Sequence, residues 1–97
     1  MIARILPAAR DELETAAARY EEIRPGLGID FIEEFEIAVD QVLEFPYASR
    51  KMSKTVRRRS LHRFPCGIVY RITGFGIEIG AVAHLHRRSR YWRGRFN

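Results

Sequence analysis

Beyond Tyr47 this 97-residue chain holds a single acid, Glu78, and along its whole length only two lysines, Lys51 and Lys54. It has no second cysteine, no internal repeat, no low-complexity tract, and no apolar run approaching the roughly 20 residues that span a bilayer. Each absence excludes something. Cys66, being alone, forms no internal disulfide, which agrees with a reducing compartment. The start reaches Pro7 and then acids too soon for the apolar core of a secretory signal. A cytoplasmic protein that does not enter a membrane is therefore expected. At this length one domain is expected, residues 1–97, with every element sharing a single core, because so small a domain buries only about 60–65% of the surface of its extended chain.

What is present is divided by charge. Met1 to Tyr47 carries 11 acids and 4 bases, and Ala48 to Asn97 carries 1 acid and 13 bases, so the halves stand at −7 and +12. Fifteen of the 17 bases are arginine. A merely solvated basic face would use lysine as freely, whereas the planar guanidinium pairs bidentately with phosphate or carboxylate and stacks on rings. The basic half is therefore expected to contact an anionic partner, nucleic acid or an acidic protein segment.

Periodicity predicts the elements. Ile2 to Leu6 is a short strand that stops at Pro7, which opens a helix carrying Ala9, Leu13, Ala16, Ala17 and Tyr20 at helical spacing until Pro25-Gly26. A second helix fits Ile29 to Phe45, with Ile32, Phe35, Val39 and Val42 as its stripe, Asp30, Glu33 and Glu34 near its positive end, and Pro46 as its stop. After a polar loop, Pro46 to Lys54, the period becomes alternating and three strands fit: Thr55 to Arg63, Gly67 to Thr73 and Gly76 to Ala83. A two-residue Gly74-Phe75 turn sets Ile72 opposite Ile77, Arg71 opposite Glu78 and Tyr70 opposite Ile79. A fold-back at Pro65-Cys66 sets Leu61 opposite Tyr70 and His62 opposite Val69. Leu61, Ile68, Tyr70, Ile72, Ile77, Ile79, Ala81 and Ala83 then share the face beneath the helices, and Arg58, Ser60, His62, Arg71, Glu78 and His84 form a polar groove on the other. The expected fold is α+β, in the order β-α-α-β-β-β, with a helical hairpin packed on one face of a mainly antiparallel four-stranded sheet.

Several side chains bear on chemistry. His84 and His86 suggest a metal, but tetrahedral zinc wants three or four ligands and His62 lies two strands away, roughly 10 Å, so no metal and no cofactor are expected. Cys66, in a turn, lacks the shelter of a nucleophile. RNA cleavage needs proton transfers, for which His84, His86 or Tyr91 are candidates, and cations on the phosphate, for which Arg63, Arg71, Arg87 and Arg88 are candidates. Against this, Glu78 is placed to neutralise Arg71, and a histidine at a strand end is ordinarily structural. The stretch RRSRYWRGR, Arg87 to Arg95, interleaves arginine with aromatic rings, as stacking surfaces and protein hot spots do. Trp92 also reads as a peg that pins the tail on the sheet.

The element order, the VRRRSLHRFPCGIVYRI hairpin from Val56 to Ile72 and the AVAHLHRRSRYW ending from Ala81 to Trp92 together resemble toxins of the RelE/ParE superfamily, from type II toxin–antitoxin pairs. Cys66 stands where relatives often have an aromatic, and near Ser89-Arg90 they often have Asp-Pro. The resemblance implies a growth-inhibiting toxin, of the kind that serves plasmid stabilization, held in a hetero-oligomeric complex by a cognate antitoxin. Scarce lysine and the YW after RR lean toward the ParE-like branch, which inhibits DNA gyrase without a known catalytic set. The alternative is a RelE-like, ribosome-dependent mRNA endonuclease, with His84, Arg88 and Tyr91 as its catalytic residues. Target contacts are expected at Arg87, Arg88, Arg90, Tyr91, Trp92 and Arg93. An acidic, disordered antitoxin segment, folding as it docks, is expected on Arg57, Arg59 and Arg71 with the exposed side of the helical hairpin.

Overall fold

The computed structural model describes residues 1–88 and 90–96; Ser89, the first residue of the Ser89-Arg90 departure, and Asn97 lie outside the described residues. The elements are β1 (Ile2–Ile5), α1 (Pro7–Ile23), α2 (Leu27–Glu44), β2 (Arg50–Lys51), β3 (Val56–Ser60), β4 (Cys66–Thr73) and β5 (Gly76–His84), followed by a 3₁₀ turn at Arg93–Arg95. The sheet runs β1-β5-β4-β3-β2, with β1 parallel to β5 and the other pairs antiparallel. The α+β class stands, but the sheet has five strands and not four. Arg50 and Lys51, expected in a loop, pair with Arg58 and Arg57 as an added edge. Among the described residues no helix is long and apolar enough to cross a membrane.

Proline sets the start of α1, since its missing N–H is one that a first helical turn leaves unpaired anyway. The far end of α1 builds the start of α2. The Glu21 carboxylate accepts from the Gly26 N–H (2.9 Å) and the Gly28 N–H (3.1 Å), so an anion caps the positive end of α2, which begins at Leu27, two residues earlier than its apolar stripe suggests. Gly28 lets the two helices approach closely, because a Cβ there would lie 2.6 Å from the Ala17 carbonyl oxygen.

Under the helices lies the main core. Phe31, Phe35, Ala38 and Val42 are the buried side chains of α2, continuing from buried Gly28 as a stripe turned slightly from the expected one, with Ile32 and Val39 on its flanks. Phe31, Tyr20 and Phe64 form a cluster with ring centroids 4.8–5.1 Å apart, which ties both helices to the β3–β4 loop. Tyr70 is wholly buried, and its hydroxyl donates to the Pro46 carbonyl at 2.7 Å.

The β4–β5 hairpin has the register the turn chemistry predicts: Ile72 faces Ile77, Arg71 faces Glu78 and Tyr70 faces Ile79. One pair further the register shifts, Val69 facing Ala81, which leaves Gly80 as a bulge. That extra residue turns Ala81 and Ala83 to the face away from the helices and puts Val82 beneath them, correcting the expected inner face. The β3–β4 register is also corrected, by four residues: Arg57 faces Tyr70 and Arg58 faces Val69. The connection is wider than a tight fold-back. Leu61 donates its N–H to the Cys66 carbonyl, Leu61 and Phe64 enter the core as loop residues, and Glu34 of α2 accepts from the backbone N–H groups of His62 and Arg63.

The face expected as a polar groove carries a second core instead of sharing one. Val56, Val69, Ala81 and Ala83 pack there with Trp92, flanked by Met52, Tyr91 and Phe96 of the segments that fold over them.

Candidate macromolecule-binding site

The C-terminal segment is held on the sheet by its rings and leaves its arginines outside. Trp92 is 5% exposed, and Phe96 lies against the bulge, where a Cβ on Gly80 would come within 2.2 Å of its ring. Trp92 is therefore a peg in the second core, and of the six expected target contacts it is the one withdrawn from the surface. Arg87, Arg88, Arg90 and Arg93 are exposed and Tyr91 is half-buried. Arg90 adopts φ 61°, a left-handed conformation that costs a non-glycine residue about 1–2 kcal/mol, and its guanidinium donates to the Met52 carbonyl at 2.8 Å.

Beneath this segment sits a residue that the sequence reading did not single out. Glu12 of α1 accepts from the Tyr91 hydroxyl at 2.6 Å, from Arg95 at 2.8 and 3.2 Å and from the Val82 N–H at 3.0 Å, while Arg87 approaches it to 3.9 Å. Arg87 and Arg95 lie 4.0 and 5.0 Å from the centre of the Tyr91 ring. The available signal was an acid three residues after Ala9 and four before Ala16, on the edge of the apolar stripe of α1. Burial first, then the hydrogen bond to Glu12 and its charge, push the Tyr91 hydroxyl well above the ordinary tyrosine range. Tyr91 therefore stays a donor to this carboxylate further into the alkaline range than a free tyrosine would.

The other members of the alternative catalytic trio are also committed or apart. His84 accepts at Nδ1 from the His86 N–H (3.0 Å), and the two rings meet edge to face at 5.2 Å. Arg88 is exposed. Among the described residues no three His, Cys, Asp or Glu side chains gather where an ion would sit. Cys66 is not in a turn but opens β4, and it is buried, correcting the expected exposure. Burial pushes its thiol up, its Sγ lies 3.9 Å from the Tyr20 hydroxyl, and both border a cleft of about 520 Å³ between α1 and the ends of β4 and β5, with His84 and Arg87 at its rim.

The three arginines expected to receive an antitoxin do not share one surface. Arg57 donates to the Tyr47 and Ser49 carbonyls (both 2.9 Å) and Arg59 reaches Gln41 of α2, both on the helical side of the sheet. Arg71 pairs with Glu78 at 2.8 Å and faces the Phe96 ring on the other side. Strand alternation separates them: Arg57 pairs with inward-facing Tyr70, and Arg71 is the next residue along.

These shifts predict alkaline lability. Tyr20 is pushed up to about 12 by burial first, then by the charge of Cys66 and its hydrogen bond, and Tyr91 and Cys66 are raised as well. The unfolded chain releases these protons at lower pH than the folded one, so their contribution is intact at neutral pH and is lost as pH rises from about 9 toward 12. Thermal midpoints by circular dichroism should be level from pH 7 to about 9 and then fall. A level curve to pH 11 would contradict the burial of these groups.

A family model described as the ParE toxin of type II toxin-antitoxin system, parDE, matches residues 3–91, which takes in both helices, all of the sheet but Ile2 and the segment as far as Tyr91. No curated protein matches the chain. Ten chains of solved structures do. One of them, the chromosomal ParDE TA system from P. aeruginosa, superposes with a TM-score of 0.75 at 19% identity, over 87% of this chain and 95% of that one, and shows that the fold is shared. The match over nearly the full length places this chain in the ParE toxin family of type II toxin–antitoxin systems.

Proposed function

We propose that this protein arrests growth by binding and inhibiting DNA gyrase, and that an acidic, flexible segment of a cognate antitoxin neutralises it. Family membership supports the toxin role and the partner. The observation that favours inhibition by binding over RNA cleavage is Tyr91: its hydroxyl, the candidate proton-transfer group, donates to Glu12, which is itself paired with Arg95. The charge division supports an anionic partner. Of the 13 cations after Tyr47, the four that lie within ion-pair distance of a carboxylate among the described residues are Arg63, Arg71, Arg87 and Arg95.

Induction in growing cells tests the target. Loss of negative supercoiling and double-strand breaks are expected within minutes, with message lengths unchanged, and the purified toxin should inhibit supercoiling by gyrase. Rapid loss of messages over intact DNA would overturn this reading in favour of the ribosome and mRNA. The antitoxin surface is tested separately. Reversing Arg57 and Arg59 to glutamate should weaken the complex with the neighbouring gene's product by at least about tenfold and make its loss with salt shallower, since truncated charge pairs at interfaces cost about 2–5 kcal/mol and fewer attractive pairs remain for salt to screen. Unchanged affinity would remove both residues from that surface.

A further inference from the structure

β1 ends at Ile5 and the chain turns into α1, so among the described residues β5 has no neighbouring strand on that side beyond Ile79. Its backbone groups still need partners there. Two side chains supply them: Arg95 donates to the Gly80 carbonyl at 3.0 Å, and Glu12 accepts from the Val82 N–H at 3.0 Å. Glu12 and Arg95 are themselves paired at 2.8 Å, so an ion pair built from α1 and the C-terminal segment continues the sheet where β1 leaves off. The same carboxylate, 15% exposed, takes the Tyr91 hydroxyl and attracts Arg87. It thus meets the segment at Arg87, Tyr91 and Arg95, every fourth residue, and the exposed arginines Arg88, Arg90 and Arg93 fall between those points.

We infer that Glu12 is a positioning residue for target recognition: it clamps the C-terminal segment to the edge of β5 and so sets the arrangement in which Arg88, Arg90 and Arg93 face outward. The inference rests on the reading of those arginines as target contacts, but the clamp itself is measurable without a target. A carboxylate suits this place because it accepts from a backbone amide, a phenol and a guanidinium at once. An apolar residue would fill the space and leave all three donors unpaired. Glutamine keeps an acceptor for Val82 or Tyr91 and loses the ion pair with Arg95.

Trp92 is the chain's one tryptophan and lies under the clamped segment, so its fluorescence reports release directly. Wild type, Glu12→Ala, Glu12→Gln and the control Glu14→Ala are compared by Trp92 emission and acrylamide quenching, by the rate of tryptic cutting between Arg87 and Arg95, by helical circular dichroism and by growth arrest. In Glu12→Ala the emission should shift to the red and cutting should accelerate by about tenfold or more, with helical signal retained, because local opening is governed by the contacts of the segment alone. Glu12→Gln should fall between wild type and alanine, and Glu14→Ala should match wild type. Growth arrest should weaken in the same order. A shielded Trp92 and wild-type cutting in Glu12→Ala overturn the clamp. A released segment with undiminished arrest upholds the clamp and overturns the assignment of the arginines to the target. Should the alanine variant not fold, Glu12→Gln and Arg95→Gln carry the same comparison, and failure of both to release the segment overturns the inference.

Discussion

Converting Arg88, Arg90 and Arg93 together to glutamate is expected to abolish growth arrest while leaving a folded protein. All three are exposed, and the sole hydrogen bond given up by their guanidinium groups among the described residues is that of Arg90 to the Met52 carbonyl. The rings that hold the segment, Tyr91, Trp92 and Phe96, and the clamp from Glu12 remain. An arginine at a protein interface hot spot contributes about 2 kcal/mol or more, so loss of three with inverted charge should lower target affinity by at least about 100-fold. The checks are growth on graded inducer, gyrase supercoiling in vitro and a thermal melt of the variant. Arrest at wild-type inducer levels, from a variant that melts normally, would show that the target is gripped elsewhere.

The largest effect on stability is expected from Phe31→Ala. Phe31 is fully buried between Tyr20 of α1 and Phe64 of the β3–β4 loop, so one substitution removes a ring from the contact that joins both helices to the sheet. Truncation of a buried phenylalanine costs about 3–5 kcal/mol, through lost transfer energy and the cavity left behind. Small domains are stable by only about 5–15 kcal/mol, so a large share would go. In a urea titration the midpoint should fall steeply with little change of slope. A loss under about 1 kcal/mol would mean that the neighbouring rings close the gap, and that the cluster does not anchor the loop.

Much of the scaffold was legible because the signals are local. Pro7, Pro25-Gly26 and Pro46 bracket two apolar stripes, and a two-residue loop at Gly74-Phe75 sets the pairs Arg71–Glu78 and Ile72–Ile77 that β4 and β5 display, although the left-handed glycine there is Gly76 and not Gly74. The charge division was legible for the same reason, since it is a property of composition. The bulge was not. In IEIGAVAH the alternation looks unbroken, and nothing next to Gly80 says that it is skipped. What occupies its vacated space is Phe96, 16 residues later in the chain. The β3–β4 register is not legible because Pro65-Cys66 has the composition of a tight turn, whereas Phe64 and Glu34 draw the loop out onto the helices. Arg57, Arg59 and Arg71 looked like one set along a basic stretch until strand pairing assigned them to opposite faces.

By itself, then, the sequence determined the two helices, the long hairpin and the uneven distribution of charge, all of which follow from the preferences of neighbouring residues. Only the tertiary structure decided between the two roles open to Trp92, and only there does the Tyr91 hydroxyl donate to Glu12 and Glu12 meet the C-terminal segment at Arg87, Tyr91 and Arg95. The physical reason is that the demand arises far from the residue that meets it: backbone groups of β5, left open where β1 ends, are satisfied by a carboxylate 70 positions earlier and a guanidinium near the end of the chain.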